Sequence, residues 1–391
     1  MTAIGQGLRE NLSRAAVAGG VAAARLRRLL RPARGEGAPR VVFFAHLSQD
    51  VAVLAPLLAE AARRRDLVAE AWATARLQQT HPASLELLGA AGTPVRIVGH
   101  QWLLLGAAPG LAAFDALVTA SESSAPPHRV GHALTRVAEA AGLATFTLQH
   151  GLENVGLTYF DAVHRQVRFA SRTVLTWAEP DGLPAEVPEA TRAKCLAVGR
   201  PDSLPARGLL PGGDGRPLVC VFENLHWHRY DEAYRAAFFD DLERAAGERR
   251  DLRFLLRPHP AIGARSADHA RRLGALQRVE VLEPGDPDLG QLTAAELAAG
   301  ALAVVTTPST AALDAACAGR PVAVAAYGLA LPAYRPLPLL ARSADWLDFL
   351  EGAAEGREEL QAAGREFRDR VRLPGDAAAR ALDRIVEGAR G

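Results

Sequence analysis

Four stretches of this chain carry side chains whose types and spacing suit chemistry. The first is Gln149-His150-Gly151-Leu152-Glu153-Asn154, directly after the apolar run Ala144 to Leu148. An imidazole there takes a proton near neutral pH, and Gly151 allows a sharp turn or the close approach of a substrate. Glu153 is a second candidate base; the plainer alternative is a hydrogen-bonded structural histidine in a tight turn. The second stretch is Arg257-Pro258-His259-Pro260, after the run Leu252 to Leu256. Its two prolines fix φ and stiffen the loop, so Arg257 and His259 are presented at low entropic cost. A guanidinium beside an imidazole suits phosphate binding or neutralisation of a departing anion. The third stretch, Phe222 to Asp231, holds Glu223, Asn224, His226 and His228, with Trp227 and Tyr230 able to stack on a base or sugar or simply to cover a domain edge. His226-x-His228 begins a metal pattern, but no third ligand follows at a matching spacing, so no metal is assigned.

The fourth stretch organises the rest. The apolar run Ala301 to Val305 reads as a buried strand, stopped by Thr306-Thr307-Pro308-Ser309-Thr310. Ser309 or Thr310 is the expected N-cap of an Ala-rich helix, Gly319 its C-cap, and Pro321 opens the next apolar run. A helix N-terminus at a strand's carboxyl end offers N–H groups and the positive end of a dipole to an anion. Asp314, about one turn further in, is placed to accept hydrogen bonds from a ribose. These residues predict a nucleotide diphosphate pocket, the alternative being an ordinary capped crossover helix.

The elements that must position these residues alternate strand and helix. Val41 to Ala45 is a continuous apolar run, as for a parallel strand buried on both faces. A polar turn at His46 to Asp50 leads into a helical pattern over Val51 to Arg65. Strands are expected at Leu67–Ala73, Pro94–Val98, Asp115–Thr119, Ala144–Leu148, Val174–Trp177 and Leu196–Val198, with helices at Ser84–Ala91 and Val130–Ala141. The Pro/Gly-rich segment Pro205 to Pro217 is the best domain boundary, and the pattern restarts at Leu218 to Phe222. Helices over Ser343–Gly352, Arg357–Val371 and Asp376–Gly388 close the chain. A doubly wound sheet binds ligands at the carboxyl ends of its strands.

With 391 residues, two domains are the default. Hydrophobic residues at 49% and charged residues at 23% describe a globular chain, and a net charge of +1 gives no case for nucleic acid as a partner. Cys195, Cys220 and Cys317 lie far apart beside apolar segments and suggest buried thiols in a reducing, cytoplasmic compartment. Near the N-terminus a small-residue run, Ala15 to Ala24, precedes Arg25, Arg27, Arg28, Arg31 and Arg34. This is the reverse of a secretory signal. Such a helix either rests on anionic lipid at the inner face of a membrane or is a leader with no membrane role.

The ordered set Gln149-His150-Gly151, Gly199-Arg200-Pro201-Asp202, Arg257-Pro258-His259-Pro260 and Ser309-Thr310…Asp314…Gly319-Arg320-Pro321 resembles GT-B glycosyltransferases. The nearest likeness is to bacterial surface-polysaccharide enzymes, the CDP-glycerol glycerophosphotransferase-like and capsule or lipopolysaccharide Kdo-transferase-like proteins. It runs from about Arg40 to the C-terminus. The resemblance implies an α/β fold of two Rossmann-like parallel-sheet domains facing a central cleft, with C-terminal helices crossing between them. It implies His150 as acceptor-side base or phosphate contact, Arg257 and His259 as donor phosphate ligands, Ser309 and Thr310 on the diphosphate, and Asp314 in the ribose-binding place. Asp314 stands where Glu is more usual, and Gln149 where glycerophosphotransferases carry tryptophan, so a nucleotide sugar is preferred to a polyol-phosphate donor.

The domains expected are a basic helical leader (1–39), an acceptor domain (40–204), a nucleotide-donor domain (205–375) and a terminal helix (376–391). The function expected is metal-independent transfer of a sugar from a nucleotide donor, with CMP, CDP or UDP leaving and no cofactor, to a surface-glycan or lipid-linked acceptor. Two alternatives stand beside it, a UDP-sugar 2-epimerase-like enzyme and a catalytically silent sugar-nucleotide-binding assembly protein.

Overall fold

A computed structural model describes residues 3–29, 37–161, 166–201, 214–259, 267–282, 286, 289–290 and 292–391, with side chains from residue 13 onward. Asp202 and Pro260 of the motifs above lie outside these residues. Contacts divide the chain into two compact units, Met1–Leu204 with Arg372–Gly391, and Pro205–Val371.

In unit 1 the elements are α1 (Ala3–Leu29), β1 (Arg40–Ala45), α2 (Ser48–Ala61), β2 (Val68–Thr74), α3 (Ala75–Thr80), α4 (Pro82–Ala90), β3 (Val95–Val98) and α5 (His100–Leu104). There follow β4 (Ala116–Thr119), α6 (Arg129–Ala140), β5 (Ala144–Leu148), β6 (Thr173–Thr176), α7 (Glu189–Arg192) and β7 (Cys195–Ala197). The seven strands are all parallel, in the order β3-β2-β1-β4-β5-β6-β7. Apolar runs in β1, β4 and β5 are buried on both faces, which is why they read clearly in the sequence. Val42, Phe44, Trp72 and Leu117 on one face pack with Leu134, Val137 and Ala138 of α6 and with Ala24 of α1. Helix α1 is therefore part of unit 1's packing. Helix α2 begins three residues before the expected Val51, because Asp50 Oδ2 accepts the N–H groups of His46 and Leu47, both at 2.8 Å.

Unit 2 repeats the plan with β8 (Leu218–Glu223), α8 (Glu232–Glu248), β9 (Arg253–Pro258), α9 (Ala267–Ala275), β10 (Glu280–Val281), α10 (Ala294–Gly300) and β11 (Ala303–Thr306). It continues through α11 (Ala311–Cys317), β12 (Val322–Ala325), β13 (Leu339–Leu340), α12 (Ser343–Glu355) and α13 (Glu358–Val371). Its six parallel strands run β10-β9-β8-β11-β12-β13. Val219, Val221, Phe254, Leu256, Val305 and Ala323 form one face of the sheet and bury Phe238 and Leu242 of α8 and Trp346 and Phe349 of α12. Each such side chain contributes roughly 1.5–3 kcal/mol by leaving water. The last helix, α14 (Ala377–Arg390), returns to unit 1 and buries Ala381, Leu382 and Ile385 there.

In both sheets the strand order reverses once, between β1 and β4 and between β8 and β11. Those are the switch points where doubly wound sheets open a crevice. Cys220 is buried and Cys195 partly so, but Cys317 is exposed, against expectation. It is the last residue of the seven-residue α11, past the buried Leu313, Ala315 and Ala316.

Candidate functional site

In unit 2 the switch point is built by stitching the ends of β8 and β11 together. Thr307 N–H extends the ladder to the Phe222 carbonyl at 2.9 Å. Asn224, one residue past β8, then ties down the turn: its N–H donates to Thr307 Oγ1 (3.0 Å) and its Nδ2 to the Pro308 carbonyl (3.0 Å). Its Oδ1 accepts from Thr307 Oγ1 and Tyr230 Oη, both at 2.7 Å. Tyr230 thus serves the turn from within the core.

The hydroxyls of the turn have a definite order. Thr306 Oγ1 has one proton and gives it to the Thr307 carbonyl (2.7 Å), so Ser309 Oγ donates to Thr306 Oγ1 at 2.9 Å. Ser309 Oγ in turn accepts from Ala311 N–H at 3.2 Å. Ser309 is therefore the side-chain cap, while Thr310 already has helical φ and ψ and makes no cap bond. The helix ends in a Schellman pair, Arg320 N–H to the Ala315 carbonyl (3.0 Å) and Gly319 N–H to that of Ala316 (3.2 Å), with Gly319 at φ +68°. Pro308 is buried, Thr310 is half-buried at the first turn, and Asp314 is half-buried further along α11.

The other predicted residues of this unit separate. His226 and His259 come together at the carboxyl edges of β8 and β9, with ring centroids 4.5 Å apart, although 33 positions divide them in the chain. His228 is exposed beside Trp227, their rings 6.3 Å apart. Glu223 points inward, accepting from Leu225 N–H at 2.6 Å and lying 3.1 Å from His269 Nε2. Arg257 donates to the Leu292 carbonyl, and burial lowers its pKa while Glu296 works the other way. Among the described residues no three His, Cys, Asp or Glu side chains gather as a metal site.

In unit 1 the predicted residues sit past β5. Gln149 is buried and structural: Nε2 donates to the Gly151 carbonyl (3.0 Å) and Oε1 accepts from Trp177 N–H (3.0 Å). His150 N–H is held by Asn154 Oδ1 at 3.1 Å. Its Nδ1 lies 2.9 Å from the Ala120 carbonyl, which only accepts, so Nδ1 carries the proton and Nε2 the lone pair. Desolvation pushes this imidazole's pKa down to about 4, with the Ala120 bond opposing it. Glu153 is half-buried in the turn that follows.

The structure also brings to this edge groups that the sequence did not single out. The His128 ring stands edge-on to His150 at 5.1 Å, with its Nδ1 2.9 Å from Ser123 Oγ. One turn along α6, His132 Nδ1 lies 2.6 Å from Glu122 Oε1. That buried carboxylate also accepts from Ser171 Oγ (2.6 Å) and Ala170 N–H (2.9 Å). The i, i+4 spacing of His128 and His132 at a helix start was the available signal. At the end of β1, His46 is also pushed down to about 4 by burial, and Asp50 up to about 6 by burial.

No family model and no curated protein matches the chain. Solved structures do. UDP-GlcNAc 2-epimerase from Neisseria meningitidis bound to UDP-GlcNAc aligns with TM-score 0.60 and 11% identity, over 89% of this chain and 100% of that one. The glycosyltransferase VinC in complex with dTDP aligns at 0.55 and 16%, over 90% and 100%. HepE of Anabaena in complex with UDP-glucose aligns at 0.55 and 14%, over 89% and 98%. What the chain shares with these proteins is the fold, two all-parallel Rossmann-like sheets of the GT-B type.

Proposed function

We propose that the chain is a glycosyltransferase that moves a sugar from a pyrimidine-nucleotide donor to a surface-glycan or lipid-linked acceptor on the cytoplasmic side of a membrane. The observation that carries this reading is the Thr307–Thr310 turn, locked by Asn224 at the unit 2 switch point, with Asp314 on the helix that follows and the His226–His259 pair on the neighbouring strand ends. In this reading backbone N–H groups at Ser309 and Thr310 hold the diphosphate, and Asp314 accepts from the ribose hydroxyls. His226 and His259 neutralise the departing nucleotide, a task that a metal ion performs in other transferases. His150 Nε2 takes the acceptor's hydroxyl proton as its oxygen bonds to the anomeric carbon and the bond to the nucleotide phosphate breaks. The ordered motifs resembling surface-polysaccharide enzymes support the choice of acceptor.

A second reading, a UDP-sugar 2-epimerase-like enzyme, is favoured by one observation. An epimerase needs further proton-transferring groups, and Glu122, His128 and His132 stand at the same edge as His150. Thermal shift with CMP, CDP, UDP, GDP and their sugars tests the shared premise. A ligand at a hundredfold excess over Kd stabilises by about 2.7 kcal/mol, which raises Tm by roughly 5–10 °C in a domain of this size. One pyrimidine nucleotide is expected to give that shift and Asp314→Ala to abolish it; no shift with any nucleotide sinks both readings. Incubating the stabilising nucleotide sugar without acceptor separates them, since an epimerase converts it, a transferase needs an acceptor, and a silent binder does neither.

A further inference from the structure

Most large apolar side chains of the described residues are covered, but four exposed ones lie on two elements that touch each other. Leu26 and Leu29, 66% and 81% exposed, lie on α1, and Trp102 and Leu105, 64% and 52% exposed, lie on α5 and at its end. The elements are pressed together: Ser13 Oγ donates to the Leu104 carbonyl at 3.2 Å, and a Cβ at Gly20 would come within 2.4 Å of the Gly106 carbonyl oxygen. From Asn11 to Arg34 the chain has six arginines and no acidic residue, and Arg25 and Arg27 are exposed beside the leucines. No helix of the described residues is long and apolar enough to cross a membrane.

We infer that the α1–α5 face of unit 1 docks on an anionic phospholipid surface, Trp102, Leu105, Leu26 and Leu29 entering the headgroup layer and Arg25 and Arg27 pairing with phosphates. A tryptophan with an apolar body and one N–H suits that layer, and arginine stems cover apolar surface while their heads meet phosphate. A protein partner would have to match Arg25, Arg27 and Arg28 with its own acidic residues, whereas an anionic bilayer supplies that charge at any registration. The use assigned to the contact, bringing a lipid-linked acceptor to unit 1, rests on the proposed function; the contact itself does not.

Trp102 supplies its own probe. Of five tryptophans, Trp72, Trp177 and Trp346 are buried and Trp227 is half-buried, so Trp102 is the one that bilayer entry would move out of water. The full chain is titrated with vesicles of phosphatidylcholine alone and of phosphatidylcholine with phosphatidylglycerol, with and without brominated acyl chains. Binding to the anionic vesicles only, a blue shift and bromolipid quenching are expected, and Trp102→Phe should keep binding but lose the quenching. Trp102→Ser with Leu105→Ser should weaken binding roughly tenfold or more, and each of Arg25→Gln and Arg27→Gln about fivefold. Failure to bind anionic vesicles at low salt, binding without Trp102 quenching, or a dimer in solution that Trp102→Ser dissolves would each overturn the inference. The nucleotide shift is read on the same samples. A chain that ignores vesicles yet responds to a nucleotide loses only this inference; one that binds vesicles and no nucleotide loses only the transferase reading.

Discussion

His150 shows how one side chain's surroundings set its chemistry. Its Nδ1 proton is fixed on the Ala120 carbonyl, and burial holds the ring neutral down to about pH 4. A base works only in its deprotonated form, so activity is lost as pH falls through the folded-state pKa and not through the ordinary histidine value. The acid limb of the kcat/KM profile is therefore expected near pH 4, well below 6.5, and His150→Ala should lower kcat by about 10²–10⁴-fold while leaving the rise in Tm that nucleotide gives unchanged. A limb near 6.5, or a variant with unchanged rate, would remove His150 from the mechanism. At this scale the sequence named His150 because it ends an apolar run and precedes a glycine. It could not name His132, because the partner that fixes its tautomer, Glu122, lies in a different element. Nor could it choose between Ser309 and Thr310 as the cap: two adjacent hydroxyls read alike until φ and ψ show which one is already helical.

At the scale of elements, legibility followed burial. Strands β1, β4, β5, β8, β9 and β11 are covered on both faces, so their apolar runs are continuous and plain in the sequence. The two-residue edge strands β10 and β13 have too little buried surface to leave a pattern. Helix α1 was legible as a helix but not as a packed one, because it packs through small residues, Val17, Ala24 and the close approach of Gly20 to Gly106, that leave no strong apolar stripe. That contact makes a paired prediction. Gly20→Ala places a methyl against the Gly106 backbone and should destabilise the protein by about 1–3 kcal/mol. Gly19→Ala, one position away with nothing within 4 Å of its Cβ, should stabilise by about 0.5–1 kcal/mol. Thermal denaturation of the two variants decides it; equal effects would mean that α1 is not held at Gly106.

At the scale of the whole molecule, the chain leaves unit 1 at Leu204 and comes back to it at Arg372. The return is well anchored: Arg380 Nε donates to the Val198 carbonyl at 2.9 Å, and Arg64 meets Asp383 at 2.6 Å near the buried Leu382 and Ile385. Leu382, Ile385 and Val386 contribute roughly 1.5–3 kcal/mol each, against a total of 5–15 kcal/mol for an ordinary domain. Ending the chain at Val371 should therefore unfold unit 1 while unit 2 keeps its own transition, which calorimetry would show as one lost peak. Two undisturbed transitions would contradict the division. The same arrangement sets the order in which the molecule is born. The half translated first lacks its closing piece until Arg372–Gly391 has been made, so unit 2, contiguous in the chain, is free to mature before it. The segment Arg372–Gly391 then acts as a latch whose arrival completes the half that was begun earliest.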